Sequence, residues 1–142
     1  MKQHCAKYMT CNPVVISPDA TLEEAAAKME KVDCGIFPVG TIDNPIGMIT
    51  DRDLVVRAIA KKKSPATTKV SEIMTKQVYS VPEEASIEQG ADIMRKHQVN
   101  RLLVKDAKGK GIGILSLGHF IRNAEPAVVG KIVEHTICKK AA

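Results

Sequence analysis

The chain has 142 residues, 44% of them hydrophobic and 26% charged, with a net charge of +5. That length suits one compact domain or two very small ones sharing a core. There is no Trp, and the only aromatics are Tyr8, Tyr79, Phe37 and Phe120, so base stacking on aromatic platforms is not expected and nucleic acid is an unfavoured partner.

Lys61-Lys62-Lys63 and Lys139-Lys140 supply the whole positive excess and read as solvated linker and tail charges. No apolar run approaches membrane-spanning length, and Met1 to Cys5 hold no apolar signal core, so a cytoplasmic protein without a membrane partner is expected. Cys5, Cys11, Cys34 and Cys138 lack C-x-x-C spacing, which points to reduced thiols.

In chain order, residues 4–10 read as a short helical turn and Val14-Val15-Ile16 as a short strand. Ser17-Pro18-Asp19 turns the chain. Thr21 and Glu24 have capping-box spacing, and Leu22, Ala25, Ala26 and Met29 then share one helix face. That helix should end near Asp33 to Gly35. Ile36 to Val39 reads as a strand that Pro38 confines to an edge or irregular place. After a turn at Thr41 to Pro45, Ile46 to Ile49 reads as a third strand and Arg52 to Ala60 as a helix with Leu54, Val55, Ala58 and Ile59 on its apolar face.

Beyond the polar linker at 61–69 the order restarts. Val70 to Thr75 matches the first short helix. Val78 to Val81 is a strand, Ser86 caps a helix to His97, and Arg101 to Val104 and Gly111 to Leu115 are strands joined by a hairpin. Leu117 to Asn123 is a helix. Met9-Thr10 falls on Met74-Thr75 at an offset of 65, which also pairs Thr21 with Ser86, Met29 with Met94 and Val39 with Val104. One extra hairpin residue then sets Gly47 against Gly113 and Thr50 against Ser116 at 66. The chain is therefore a tandem β-α-β-β-α repeat in an α/β (α+β) fold: unit 1 over 1–60, unit 2 over 70–124, and a C-terminal helix and tail over 125–142. Each unit covers one sheet face, so two are expected to pack as a pseudo-twofold sandwich. In the tail, Pro126 suits a first helical turn, and Val128, Val129, Ile132, Val133 and Ile137 form a stripe to cap the module or dock on a second subunit.

These features resemble the CBS domain, and the tandem pair resembles a Bateman module. The resemblance is carried by the Met-Thr-ended short helices and by two strands closing in Gly-x-x-Thr/Ser before a helix: Gly47, Thr50 and Asp53, then Gly113 and Ser116. The Thr-Asp-Arg-Asp-Leu-Val run and the apolar tail are similar to those of small stand-alone bacterial CBS pairs, including the hypoxia- and dormancy-linked ones. The resemblance implies a regulatory module rather than an enzyme, and a homodimer. It also implies clefts between units that take an adenosine-containing ligand: AMP, ADP, ATP, S-adenosylmethionine or NAD.

The chemistry of Thr50 and Asp53 suits such a ligand. A ribose offers two adjacent hydroxyl donors that one carboxylate can accept as a charge-assisted fork, and the Thr50 hydroxyl can bond ribose or phosphate. The helix start offers free amides to phosphate, opposed by Asp51 and Asp53 and helped by Arg52. The competing reading is plain capping: Thr50-x-x-Asp53 has capping-box spacing. Val15, Ile16, Cys34, Gly35, Ile36 and Phe37 are further candidates from unit 1, as pocket backbone or as core. In unit 2, Ser116 still caps, but His119 stands where the acid would be and cannot accept two hydroxyls as a carboxylate does. An altered or lost second site is expected, with His119 as a phosphate contact or a surface His. Arg101 heads the second strand of unit 2, where family resemblance implies a phosphate contact.

No nucleophile–base constellation, phosphate loop or G-x-S-x-G is present. No cofactor is required on this reading. A protein partner that is not specified would receive the signal. Two alternatives stay open: a structural or interaction protein with no nucleotide, and a metal-binding stress protein using His4, Cys5, His135 and Cys138 as N/S ligands.

Overall fold

The computed structural model describes residues 4–11 and 14–136. It is a mixed α/β structure that divides into two compact units, Pro13–Val78 and Met1–Asn12 with Tyr79–Ala142. These packing units do not follow the sequence repeats. Each short helix leaves its own repeat and packs in the unit formed by the other.

In the unit over 13–78, α1 spans Leu22–Val32. The Thr21 side chain accepts from Glu24 N and Glu24 closes the box on Thr21 N, both at 3.2 Å. The helix ends at Asp33 in a left-handed conformation (φ 51°). Two antiparallel strands follow, β2 (Ile36–Gly40) and β3 (Pro45–Thr50). Then α2, Asp51–Asp53, runs on as a π-helical stretch over Leu54–Ile59. The short helix α3, Val70–Ile73, belongs to the second repeat but is held here: Val70 N donates to Ala20 O (2.8 Å), and Thr75 and Met48 exchange backbone bonds of 2.8 and 2.9 Å. Phe37, Val39 and Ile49 from the strands, Leu22, Ala25 and Met29 from α1, and Val70, Ile73 and Met74 make one core.

The other unit repeats this plan. A 3₁₀ turn, Cys5–Tyr8, leads into β1 (Thr10–Cys11). With β4 (Ser80–Pro82), β5 (Arg101–Lys105) and β6 (Gly111–Ser116), β1 forms a four-stranded sheet in the order β1-β6-β5-β4. Helix α4, Ile87–His97, is capped by Ser86 and ends at Gln98 in the left-handed region (φ 57°), matching Asp33. Helices α5 (Leu117–Asn123) and α6 (Pro126–Thr136) follow. Cys5, Tyr8, Ile87, Met94, Leu102, Leu115, Phe120 and Ile132 share this core. Of the predicted tail stripe, Ile132 is buried and Val128 packs partly against the same core; Ile137 lies outside the described residues. The tail helix thus caps its own unit along α4, with Lys131 Nζ 3.8 Å from Glu88 Oε1.

The predicted first strand at Val14 to Ile16 is reduced to one parallel bridge, Ile16 to Val39. The second copy explains why. There, Leu103 N donates to Tyr79 O at 2.9 Å and β4 forms a full parallel ladder with β5. The equivalent of Leu103 is Pro38, which has no amide to donate to the equivalent of Tyr79, Val14. What remains is Ile16 N to Pro38 O (3.0 Å) and Gly40 N to Ile16 O (2.9 Å).

Gly47 and Gly113 also become intelligible. A Cβ on Gly47 would lie 2.7 Å from Met74 Sδ and 2.8 Å from Thr75 O; on Gly113 it would lie 2.6 Å from both Met9 Sδ and Thr10 O. Each glycine admits the Met-Thr end of the short helix that crossed over from the other repeat.

Candidate functional site

The end of the β2–β3 hairpin gathers most of the residues singled out in the first repeat. Ile36 pairs with Thr50 across the sheet, and Asp51 N donates to Gly35 O at 2.9 Å. A Cβ on Gly35 would fall 2.5 Å from Asp51 Oδ2, so this corner closes only around glycine or with Asp51 swung away. Asp51 and Arg52 are exposed on the first turn, with Asp51 Oδ1 accepting from Arg52 N at 2.8 Å.

Thr50 and Asp53 form a reciprocal capping box. Thr50 Oγ1 accepts from Asp53 N at 3.1 Å, and Asp53 Oδ2 accepts from Thr50 N at 3.0 Å. Asp53 Oδ1 stands 3.6 Å from Arg57 Nε, and only 11% of the Asp53 side chain is exposed. Arg57 Nη1 in turn donates to Ile73 O and Met74 O, each at 3.3 Å. The capping role expected of this motif is therefore realised, and the carboxylate is engaged at both oxygens. What stays open is the Thr50 hydroxyl proton and the lone pairs of Asp53 that its two partners leave unused. Arg57 escaped the sequence reading; its spacing of four residues from Asp53 on a helix was the signal.

Ile16 does not join this corner. It bridges Val39, which pairs with Gly47, so it lies at the far end of β2 from the Ile36–Thr50 pair, buried in the core. Phe37 is likewise core, under Lys28, whose Nζ sits 5.7 Å from the ring centre and donates to Val15 O. Cys34 is half-buried, with Sγ 3.3 Å from Ile36 O.

The second copy builds the same corner with different charge. Arg101 pairs with Ser116, Leu117 N donates to Asn100 O at 2.9 Å, and Ser116 Oγ accepts from His119 N at 3.1 Å. No reciprocal side-chain bond closes this cap. Where the first corner has Ile36, Asp51 and Asp53, the second has Arg101, Leu117 and His119. Two carboxylates are exchanged for a guanidinium and an imidazole. The Arg101 Nε is buried and meets no hydrogen-bond acceptor among the described residues.

The metal candidates fare differently. Cys5 is fully buried, its Sγ 3.3 Å from Ser86 O and close under Gly90. Burial pushes the thiol up to about 11, which disfavours the thiolate a metal needs. It packs as a core residue. His4 is exposed beside it; the side chain of His135 and all of Cys138 lie outside the described residues. Among the described residues, no group of three or more His, Cys, Asp or Glu is placed to hold a metal, and no helix is long and apolar enough to cross a membrane.

The chain is similar to Hypoxic response protein 1 of Mycobacterium tuberculosis, 30% identical over 135 residues that cover 94% of this chain and 93% of that one. Among solved structures it matches Hypoxic Response Protein I with two coordinated zinc ions, at TM-score 0.71 and 29% identity over 87% of this chain and 100% of that one. It also matches CBSX2 in complex with AMP, at TM-score 0.66 and 25% identity over 84% and 94%. The CBS domain model matches residues 5–59 and again 70–125. With two such matches on one mixed α/β architecture, the chain belongs to the CBS-domain family as a tandem pair similar to the small hypoxic-response type.

Proposed function

We propose that this protein is a regulatory module that binds an adenosine-containing ligand and signals to a separate protein, with no catalysis of its own. The observation that carries the reading is the Thr50–Asp53 corner. A hydroxyl donor and a carboxylate lie there beside Gly35 and Ile36, with the exposed Arg52 on the same helical turn. The CBSX2–AMP complex, a relative in fold and sequence, supports adenosine as the class. In this reading Asp53 accepts the ribose diol, Thr50 donates to ribose or phosphate, and Arg52 meets phosphate. The Arg101–Ser116–His119 corner, rid of its carboxylates, suits an anion and not a diol. Signalling as a cytoplasmic homodimer belongs to the same proposal.

Isothermal titration with AMP, ATP, S-adenosylmethionine and NADH tests it, with Asp53→Asn as control because Asn keeps an acceptor for Thr50 N. Binding by at least one of them, weakened about tenfold or more in the variant by the loss of a charge-assisted fork, is expected. A folded protein that binds none overturns the reading in favour of an interaction protein.

Zinc is the second reading, supported by the zinc-bound hypoxic-response relative and opposed by the burial of Cys5. Elemental analysis of purified protein, repeated on Cys138→Ser, separates the two.

A further inference from the structure

We infer that Arg57 couples the Thr50–Asp53 corner to the end of α3, so that whatever engages the Asp53 carboxylate loosens the Met48–Thr75 pairing. One guanidinium serves both sides: Nε faces Asp53 Oδ1 at 3.6 Å, and Nη1 donates to Ile73 O and Met74 O at 3.3 Å. Those carbonyls end a four-residue helix, whose last carbonyls find no partner within the helix. The next residue, Thr75, exchanges two backbone bonds with Met48 of β3.

The two grips depend on each other. Arg57 is half exposed, and such a pair at the surface contributes little, but the Asp53 side is almost out of water, where a carboxylate needs its partner. The guanidinium is planar and rigid, so the position of Nε fixes that of Nη1. If Asp53 turns to another partner, Arg57 loses the anchor that holds Nη1 over the two carbonyls. Arg57 also sits in the π-wound stretch 54–59, a geometry found often at functional sites. The ligand arm of this inference rests on the proposed nucleotide reading; the coupling itself does not.

Native-state hydrogen exchange on the full chain tests both. Asp53→Asn and Arg57→Gln should each speed exchange at the Met74, Thr75 and Met48 amides by about five- to tenfold, the size that losing one ordinary hydrogen bond implies. The double variant should add nothing further. A rise in Arg57→Gln alone, with Asp53→Asn unchanged, means that Arg57 merely caps α3 and overturns the coupling. Saturating AMP should produce the same rise in the wild type. By reciprocity Arg57→Gln should then bind AMP about five- to tenfold more tightly. AMP that binds without moving these amides, or binds more weakly to Arg57→Gln, overturns the ligand arm by making Arg57 a direct contact. AMP that does not bind at all removes the nucleotide reading, and the two variants still decide the coupling.

Discussion

Gly47→Ala should destabilise the protein by about 2–4 kcal/mol, although Ala is normally the better strand residue. The new Cβ would meet Met74 Sδ at 2.7 Å and Thr75 O at 2.8 Å, against an ordinary contact that starts at 3.4 Å. Met74 has a flexible side chain and can yield. Thr75 O cannot yield freely, because it accepts from Met48 N at 2.8 Å while Thr75 N donates back to Met48 O at 2.9 Å. Making room puts both bonds at risk, at about 1 kcal/mol each. Overpacking adds about 1–3 kcal/mol, and relief of glycine's backbone entropy returns about 0.5–1 kcal/mol. Gly130→Ala is the control: nothing lies within 4 Å of its Cβ position, it sits inside α6, and a gain of about 1 kcal/mol is expected. Urea unfolding followed by far-ultraviolet circular dichroism measures both. A Gly47→Ala variant within about 0.5 kcal/mol of wild type would refute the close approach of the crossed helix to β3.

Leu103→Pro should cost about 3 kcal/mol or more by removing the Leu103 N to Tyr79 O bond, leaving β4 as the single bridge seen in the first repeat, with the Val81 amide still protected from exchange because its acceptor, like Pro38 O for Ile16 N, is the carbonyl that proline keeps. Asp53→Ala should cost about 1–2 kcal/mol in chemical denaturation, mostly the lost cap, and Asp53→Asn clearly less. The buried Cys5 thiol, raised from 9.0 to about 11, stabilises the fold as the neutral form. That contribution is whole below pH 9 and is lost as pH rises from 9 to 11, in total about 3 kcal/mol. Cys5→Ala should lack this part of the alkaline fall in stability, and an identical fall in both proteins would show the thiol to be less buried than described.

The repeat was legible because its punctuation is local. Thr21–Glu24, Ser86–Gln89 and Thr50–Asp53 are caps whose partners lie three residues away, and all three form. Pro38 announced an irregular strand for the same reason: a missing amide is a property of one residue. Less could be read where the partner is distant. Nothing near Met74-Thr75 says that it docks on Gly47 and not on Gly113, since both copies carry the same glycine. Cys5 was read as a reduced thiol and a possible metal ligand, and its burial was not legible because its cover, Ser86 and Gly90, lies more than eighty residues on. At the candidate site, the strand pairing sets Ile36 opposite Thr50, and Gly35 O takes the Asp51 amide. Ile16 was misplaced because its strand was expected to run alongside the corner.

The exchanged short helices carry a consequence for how the molecule assembles. Residues 14–78 close over spans of up to about fifty residues, as in Val70 N to Ala20 O and Ser71 N to Pro18 O. The other unit must join Cys5 to Ser86 across 81 residues, a loop whose closure entropy alone is about 4 kcal/mol on logarithmic scaling. If 13–78 folds first, Ile16 and Thr75 are fixed at opposite edges of β2 and β3, about 15 Å apart at ordinary strand spacing. The long floppy loop is then replaced by a stiff spacer. Contacts of high sequence separation form late in any case. Of the described residues, those synthesised earliest on the ribosome would thus be among the last to find their place.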